Sequence, residues 1–133
     1  MRIRPVTEEE AIAFYGARYL PAWDLWGADQ DGVLVGICGL TVEPQYNGTA
    51  LQDQARVFGF FDLERCPAGF GIRAILAIRD FLKEQDRSIY VQCNDALPTA
   101  EKFLTVLGFT PTDEYMRDLR TTSRKLRVWK WQA

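Results

Sequence analysis

Between residues 55 and 93 the hydrophobic pattern changes period twice, and that change restricts the fold more than any other feature of the chain. Ala55–Glu64 reads as a strand: with regular alternation Phe58, Phe60, Asp62 and Glu64 share one face, and Val57, Phe61 and Leu63 the other. Gly71–Gln85 instead places apolar residues at Ile72, Ile75, Leu76, Ile78, Phe81 and Leu82, a helical stripe with Arg73, Arg79 and Lys83 off it. Ser88–Cys93 returns to a strand. Strand, glycine turn, helix and strand make a βαβ unit, so part of the sheet should be parallel.

The flanks extend that unit. Arg2–Val6 reads as a short strand, and Thr7 with Glu10 has capping-box spacing, hydroxyl and carboxylate each satisfying an orphan N–H. Glu8 and Glu9 suit the positive end of a helix dipole, which predicts a first helix over about residues 8–17. Asp24–Ala28 and Val33–Val42 flank Asp29-Gln30-Asp31-Gly32, whose Asp-Gly suits a hairpin turn. Gly36 and Gly39 in the second arm mark places where a neighbour approaches closely. Thr99–Leu107 is a short helix stopped by Gly108, followed by a strand near Phe109 and a last one over Leu126–Trp131. The predicted order is β-α-β-β-β-α-β-α-β-β. That is an α/β (α+β) fold with one mixed sheet and helices on both faces, and 133 residues make it a single domain, 1–133.

Composition narrows the chemistry. The chain has no His, which removes His-based triads, His zinc sites and the commonest general base near neutral pH. Cys38, Cys66 and Cys93 are odd in number and far apart, so neither a disulfide framework nor a zinc knuckle is expected, and no metal. Reduced cysteines suit the cytoplasm. With 16 Lys and Arg against 18 Asp and Glu, the chain as a whole is no electrostatic nucleic-acid binder. Its longest apolar runs, Val33–Leu40 and Ala74–Ile78, fall short of the ~20 residues a membrane span needs, and no apolar signal core follows Met1. No membrane contact is expected.

Chemistry concentrates at the junction Glu64-Arg65-Cys66-Pro67-Ala68-Gly69-Phe70-Gly71-Ile72-Arg73. Glycines between a strand and a helix let the backbone approach a phosphate, whose charge the free N–H groups at the helix start stabilise. Arg65 and Arg73 flank the loop and can add charge-assisted contacts. A tight turn with two solvated arginines is the other reading, and G-x-G alone does not separate them.

From Arg2 to Trp131 the arrangement resembles the GCN5-related N-acetyltransferase superfamily. Ala55–Thr110 carries the likeness: a strand, a Gly loop, a long helix, a strand ending in Asn94, then Ala100-Glu101-Lys102-Phe103-Leu104-Thr105-Val106-Leu107-Gly108-Phe109, similar to the family's second helix with its closing Leu-Gly-Phe. The last strand, Val128-Trp129-Lys130-Trp131, is similar too. In particular the chain looks like the short acetyltransferase-like proteins of tailed phages and prophages. The resemblance implies acetyl-coenzyme A as co-substrate, in a cleft where two strands splay apart. It implies that Phe61 and Leu63 offer backbone groups to the pantetheine amides and that Ala68, Gly69, Phe70, Gly71, Ile72 and Arg73, with Arg65, seat the pyrophosphate. It also implies that Asn94 bonds a pantetheine amide or a water and that Phe103 packs against the cofactor's arm. Cys66 stands where the family's loop has Arg or Gln, and Pro67 removes a backbone donor.

Acetyl transfer to an amine needs a base for the ammonium proton, stabilisation of an oxyanion and a proton for the leaving thiolate. Asp62 and Glu64 are the candidate bases, and they equally suit a polar strand end. The family's Tyr donor in the second helix falls on Leu104, while Tyr90 and Tyr115 match it by type only. Cys93 lacks an activating base, so transfer is direct. Trp129 and Trp131 share a face with Arg127, and with Trp23 and Trp26 they serve either the core, expected for two of the four, or a substrate pocket or partner surface. Arg117, Arg120, Arg124, Lys125, Arg127 and Lys130 form a basic stretch that reads as a solvated hairpin or a patch for an acidic partner.

The leading reading is an N-acetyltransferase in the cytoplasm of a bacterial host, acting on a small-molecule or protein amine. The alternative keeps the fold without catalysis as a phage or prophage structural or interaction protein, virion-associated and bound to a phage protein. A third, base modification of nucleic acid, rests only on the basic C-terminal stretch. A second copy of the chain, as a homodimer, is the remaining expected partner.

Overall fold

Thr7 starts the first helix as its spacing to Glu10 predicts. In the computed structural model, which describes residues 1–16, 24–43, 56–62, 71–93, 98–117 and 125–133, the Glu10 amide donates to Thr7 Oγ1 (3.2 Å) and the Thr7 amide to Glu10 Oε1 (3.1 Å). The described elements are β1 (Arg2–Pro5), α1 (Glu8–Tyr15), β2 (Asp24–Gln30), β3 (Val33–Glu43), β4 (Arg56–Asp62), α2 (Gly71–Lys83), β5 (Ile89–Cys93), α3 (Pro98–Leu107), β6 (Thr110–Arg117) and β7 (Lys125–Trp131). The strands form one mixed seven-stranded sheet in the order β1-β2-β3-β4-β5-β7-β6. The parallel pair demanded by the crossover is β4 with β5, and the β1/β2, β2/β3, β5/β7 and β6/β7 pairs are antiparallel. By contacts the chain divides into two compact units, residues 1–41 with 59–84 and residues 42–58 with 85–133, and β4 contributes to both.

In the first unit, glycines on β2 and β3 let neighbouring side chains lie where a Cβ would stand. A Cβ on Gly39 would sit 2.2 Å from Phe60 Cε1, so that ring occupies the space above β3. Phe60 also meets Tyr15 of α1 edge-on, with ring centroids 6.4 Å apart. Leu25 is in register with Gly39 and Trp26 with Cys38, so Trp26 points to the opposite face, where its ring lies 5.1 Å from Phe81 of α2. Helices therefore cover both faces of the sheet here.

The hairpin turn is shorter than its sequence suggests. Asp29 and Gln30 belong to β2, and only Asp31 and Gly32 turn, both at positive φ (54° and 85°) as a two-residue turn of this kind requires. Asp29 stays in the strand because its carboxylate has partners: Oδ1 accepts the Gly32 N–H at 2.7 Å and Oδ2 the Arg4 Nε at 2.7 Å. Arg4 also grips Glu10 through Nη1 (3.1 Å) and Nη2 (2.8 Å), tying β1 to the helix cap. This pairing with Arg4 holds the Glu10 carboxyl down at about 2 and the Asp29 carboxyl below its ordinary value.

The α2 stripe also differs from expectation. Ala74, Ala77, Ile78, Phe81 and Leu82 are buried, whereas Ile72 and Leu76 are 75% and 53% exposed. The buried face turns toward the small alanines, which allow the helix backbone close to the sheet.

In the second unit, α3 ends in a Schellman motif. Phe109 N–H donates to Leu104 O (3.0 Å) and Gly108 N–H to Thr105 O (3.1 Å), with Gly108 at φ 100°. Phe109, Leu104 and Leu107 are buried by this closure. β6 carries a bulge: the register passes from Pro111↔Trp129 to Tyr115↔Arg127. There Thr112 Oγ1 donates to Val128 O (2.7 Å) and the Glu114 amide to Thr112 Oγ1 (3.2 Å), so the bulged residues keep bonding to the sheet.

Candidate functional site

The ladder between β4 and β5 has two rungs, Val57↔Ile89 and Phe58↔Tyr90, although both strands run further, to Asp62 and Cys93. Backbone groups past the last rung are the ones the sequence reading assigns to a pantetheine arm. Asp62, one of the two predicted bases, is the half-buried last residue of β4, on the face of Phe58 and Phe60, with Phe61 half-buried on the other. Gly71, Ile72 and Arg73 are the exposed first residues of α2. Among the described residues, a Cβ on Gly71 would meet nothing within 4 Å. A helix of this length presents its first N–H groups there without intrahelical acceptors, a geometry that suits an anion. Phe103 is half-buried on α3. Leu63, Glu64, Arg65, Cys66, Pro67, Ala68, Gly69, Phe70 and Asn94 lie outside the described residues.

Other candidates take structural places. Leu104 is 6% exposed, a core side chain of α3. Cys38 and Cys93 are buried thiols, and burial pushes Cys38 up to about 12, far from any nucleophilic role near neutral pH. Trp129 is a core residue, and its buried indole N–H has no hydrogen-bond partner among the described residues. Trp131 is half-buried beside Gly108, and Trp26 packs on Phe81, while Trp23 lies outside the described residues.

Two members of the basic C-terminal stretch are engaged with tyrosines. Arg127 donates to Tyr115 Oη through Nε (2.8 Å) and Nη2, and its guanidinium carbon lies 5.0 Å from that ring. Lys130 Nζ lies 5.7 Å from the Tyr90 ring centroid. On the other flank of this cluster stands a pair that sequence reasoning missed. Arg56 grips Glu114 with both terminal nitrogens, at 2.5 and 2.9 Å, and its guanidinium carbon lies 5.0 Å from the rings of Phe58 and Tyr90. Fifty-eight positions separate the two residues, so no local spacing signals the pair.

Among the described residues, no group of His, Cys, Asp and Glu could hold a metal ion, and no helix is long and apolar enough to cross a membrane.

No protein-family model matches the chain, and no curated protein does. Solved structures do match in fold. A chimera of the spermidine N-acetyltransferase SpeG from Vibrio cholerae and hSSAT superposes with a TM-score of 0.74 at 12% identity, covering 99% of this chain and 96% of that one. The ribosomal-protein-alanine N-acetyltransferase from Brucella melitensis matches over 100% of both chains, with a TM-score of 0.65 and 10% identity. The aminoglycoside acetyltransferase AAC(6')-Ib, solved with coenzyme A and kanamycin, gives 0.65 and 12% over 98% of this chain and 94% of its own.

Proposed function

On this acyl-CoA N-acyltransferase fold, we propose, the chain is an acetyl-CoA-dependent N-acetyltransferase that works as a single domain over residues 1–133. The observation that carries the reading is the start of α2: Gly71, Ile72 and Arg73 are exposed at the head of the crossover helix that follows β4, and a Cβ on Gly71 would meet none of the described residues within 4 Å. Those residues fit a pyrophosphate. Backbone N–H groups of Gly71, Ile72 and Arg73 would hold its oxygens, Arg73 would add charge, and Ala68, Gly69, Phe70 and Arg65 would complete the seat. Phe61 and Leu63 would offer backbone groups to pantetheine, and Asn94 and Phe103 would complete the arm's lining.

The chemistry is direct. An uncharged amine attacks the thioester carbonyl, a C–N bond forms, the C–S bond breaks and the thiolate leaves. Glu64, or Asp62, takes the proton the ammonium must lose, and the thiolate gains one. Structures of similar fold acting on spermidine, on a ribosomal protein's alanine and on an aminoglycoside support an amine as acceptor.

One observation favours a second reading. At the helix position where the resemblance puts a Tyr donor, Leu104 is buried and aliphatic. A non-catalytic protein of phage type that keeps the fold for interaction, in the cytoplasm or on the virion, accommodates that residue without further assumptions.

Calorimetric titration with acetyl-coenzyme A and coenzyme A separates the two. Micromolar binding, about −8 kcal/mol, abolished by Gly71→Glu in a variant that still folds, supports the cofactor site. Absence of heat with folded protein overturns it. Glu64→Gln is expected to cut turnover while leaving coenzyme A binding intact, and an unchanged rate would move the base to Asp62 or to water.

A further inference from the structure

The last rung of the β4/β5 ladder is Phe58↔Tyr90, and its two rings lie 5.8 Å apart. Arg56, two residues earlier on the same strand, spreads its guanidinium over both rings at 5.0 Å. It is held there by Glu114, which projects from the bulge of β6 and accepts both terminal nitrogens. The Arg56 side chain is 17% exposed and that of Glu114 44%, so the guanidinium is shielded between rings and carboxylate while the acid closes it from outside. Lys130 stands beside the same Tyr90 ring, at 5.7 Å. A planar cation bonded bidentately and stacked on aromatic faces is fixed in both direction and distance, which a lysine does not achieve.

We infer that Arg56 and Glu114 are positioning residues: they clasp the last rung shared by β4 and β5, fix where that ladder ends, and so tune coenzyme A affinity without touching the cofactor. The β6 bulge has its purpose in this arrangement. Its extra residues bring Glu114 to Arg56, while Thr112 keeps the segment bonded to Val128. The clasp spans from the first residue of β4 to β6, and it acts on a ladder of two residue pairs. Losing it leaves Phe58↔Tyr90 held by its ladder bonds, its ring contact and the Lys130 pairing on Tyr90. The rung then opens more often, and the backbone beyond it starts from a less defined point.

The consequence for coenzyme A rests on the function proposed above, whereas the consequence for the ladder does not. Three variants test both: Arg56→Met, which keeps the apolar stem, Arg56→Lys, which keeps a cation over the rings, and Glu114→Gln. Amide hydrogen exchange is measured across the chain, and coenzyme A affinity by calorimetry. Arg56→Met and Glu114→Gln should speed exchange at the amides of residues 57–61 and 89–92, leave those of β1–β3 unchanged and weaken coenzyme A about tenfold, within the range of coupling between separated sites. Arg56→Lys should fall between wild type and Arg56→Met in both readouts. Unchanged exchange at those amides overturns the clasp. Faster exchange throughout the chain overturns it equally, because that is general destabilisation. Local exchange that speeds while affinity holds steady overturns the link to the cofactor. If the wild-type protein takes up no coenzyme A, the proposed function fails, and exchange still decides the clasp.

Discussion

Arg4 and Arg56 each grip a carboxylate with both terminal nitrogens, yet they organise their surroundings differently. Arg4 also reaches Asp29, and its partners lie 6 and 25 positions away. It joins a strand, a helix cap and a hairpin that are already near one another along the chain. Arg56 reaches 58 positions, to a bulge, and lies over the rings of Phe58 and Tyr90. The first arrangement locks local structure that propensity already favours, while the second acts on a parallel ladder that no local turn can specify. The first unit should therefore lose stability globally when disturbed, and the second should change locally. The following experiments try to break that contrast.

Gly39→Val should have the largest effect. Its Cβ would lie 2.2 Å from one atom of the Phe60 ring and 2.7 and 2.9 Å from two more, and that ring is wedged against Tyr15. A rigid ring cannot retreat as a chain end can, so a loss of about 3 kcal/mol is expected in chemical denaturation. Gly27→Ala is the milder companion, because its close neighbours are the branch ends of Leu34 and Val6, which can turn away. Equal losses in the two variants would mean that Phe60 is not the obstacle.

Arg4→Met should follow. It leaves Asp29, 8% exposed, without its cation and Glu10 without its clamp. The pH dependence has a definite sign. Arg4 holds Glu10 at about 2, below its ordinary 4.5, and also depresses Asp29, so their stabilisation is complete above about pH 5 and lost as pH falls toward 2. The melting temperature of the wild type should drop across that window, and that of Arg4→Met should start lower and fall less. Parallel curves would show that other carboxylates govern acid unfolding.

In the second unit, Gly108→Ala should cost about 1 kcal/mol, the strain of a side chain at φ 100°. The nearest atoms to its Cβ would be on Trp131 at 3.6 and 3.7 Å, an ordinary contact, so strain acts without a clash. A loss approaching that of Gly39→Val would erase the contrast between the units.

The same contrast explains what could be read in the sequence. The period change across residues 55–93 and the Thr7–Glu10 spacing report forces acting within a few residues, and the crossover and the cap both formed. The Asp-Gly hairpin also formed, but its ends moved because Asp29 found a partner 25 positions away. On α2, counting large apolar residues favoured Ile72 and Leu76 over Ala74 and Ala77, whereas close packing against the sheet favours small ones. Of the predicted site, Gly71, Ile72 and Arg73 stand at a helix start because glycine punctuation marks that boundary locally. Arg56 and Glu114 were silent, since an arginine opening a strand and a glutamate among Thr112, Asp113 and Tyr115 look like ordinary solvated residues until β6 bulges.

The smallest global effect belongs to Glu114→Gln. A carboxylate 44% exposed shares its charge with water, so its pairing with Arg56 should contribute only about 0.5 kcal/mol to unfolding. The melting temperature would scarcely move. The local consequence need not be small, because the energy that matters for opening one rung is a far smaller quantity than the stability of the whole fold. The sharp outcome is therefore a ratio: amides at Phe58 and Tyr90 exchanging several-fold faster in a protein whose denaturation curve overlays that of the wild type. If the denaturation curve shifts as far as it does for Arg4→Met, Arg56 and Arg4 are doing the same job, and the distinction between the two arginines collapses.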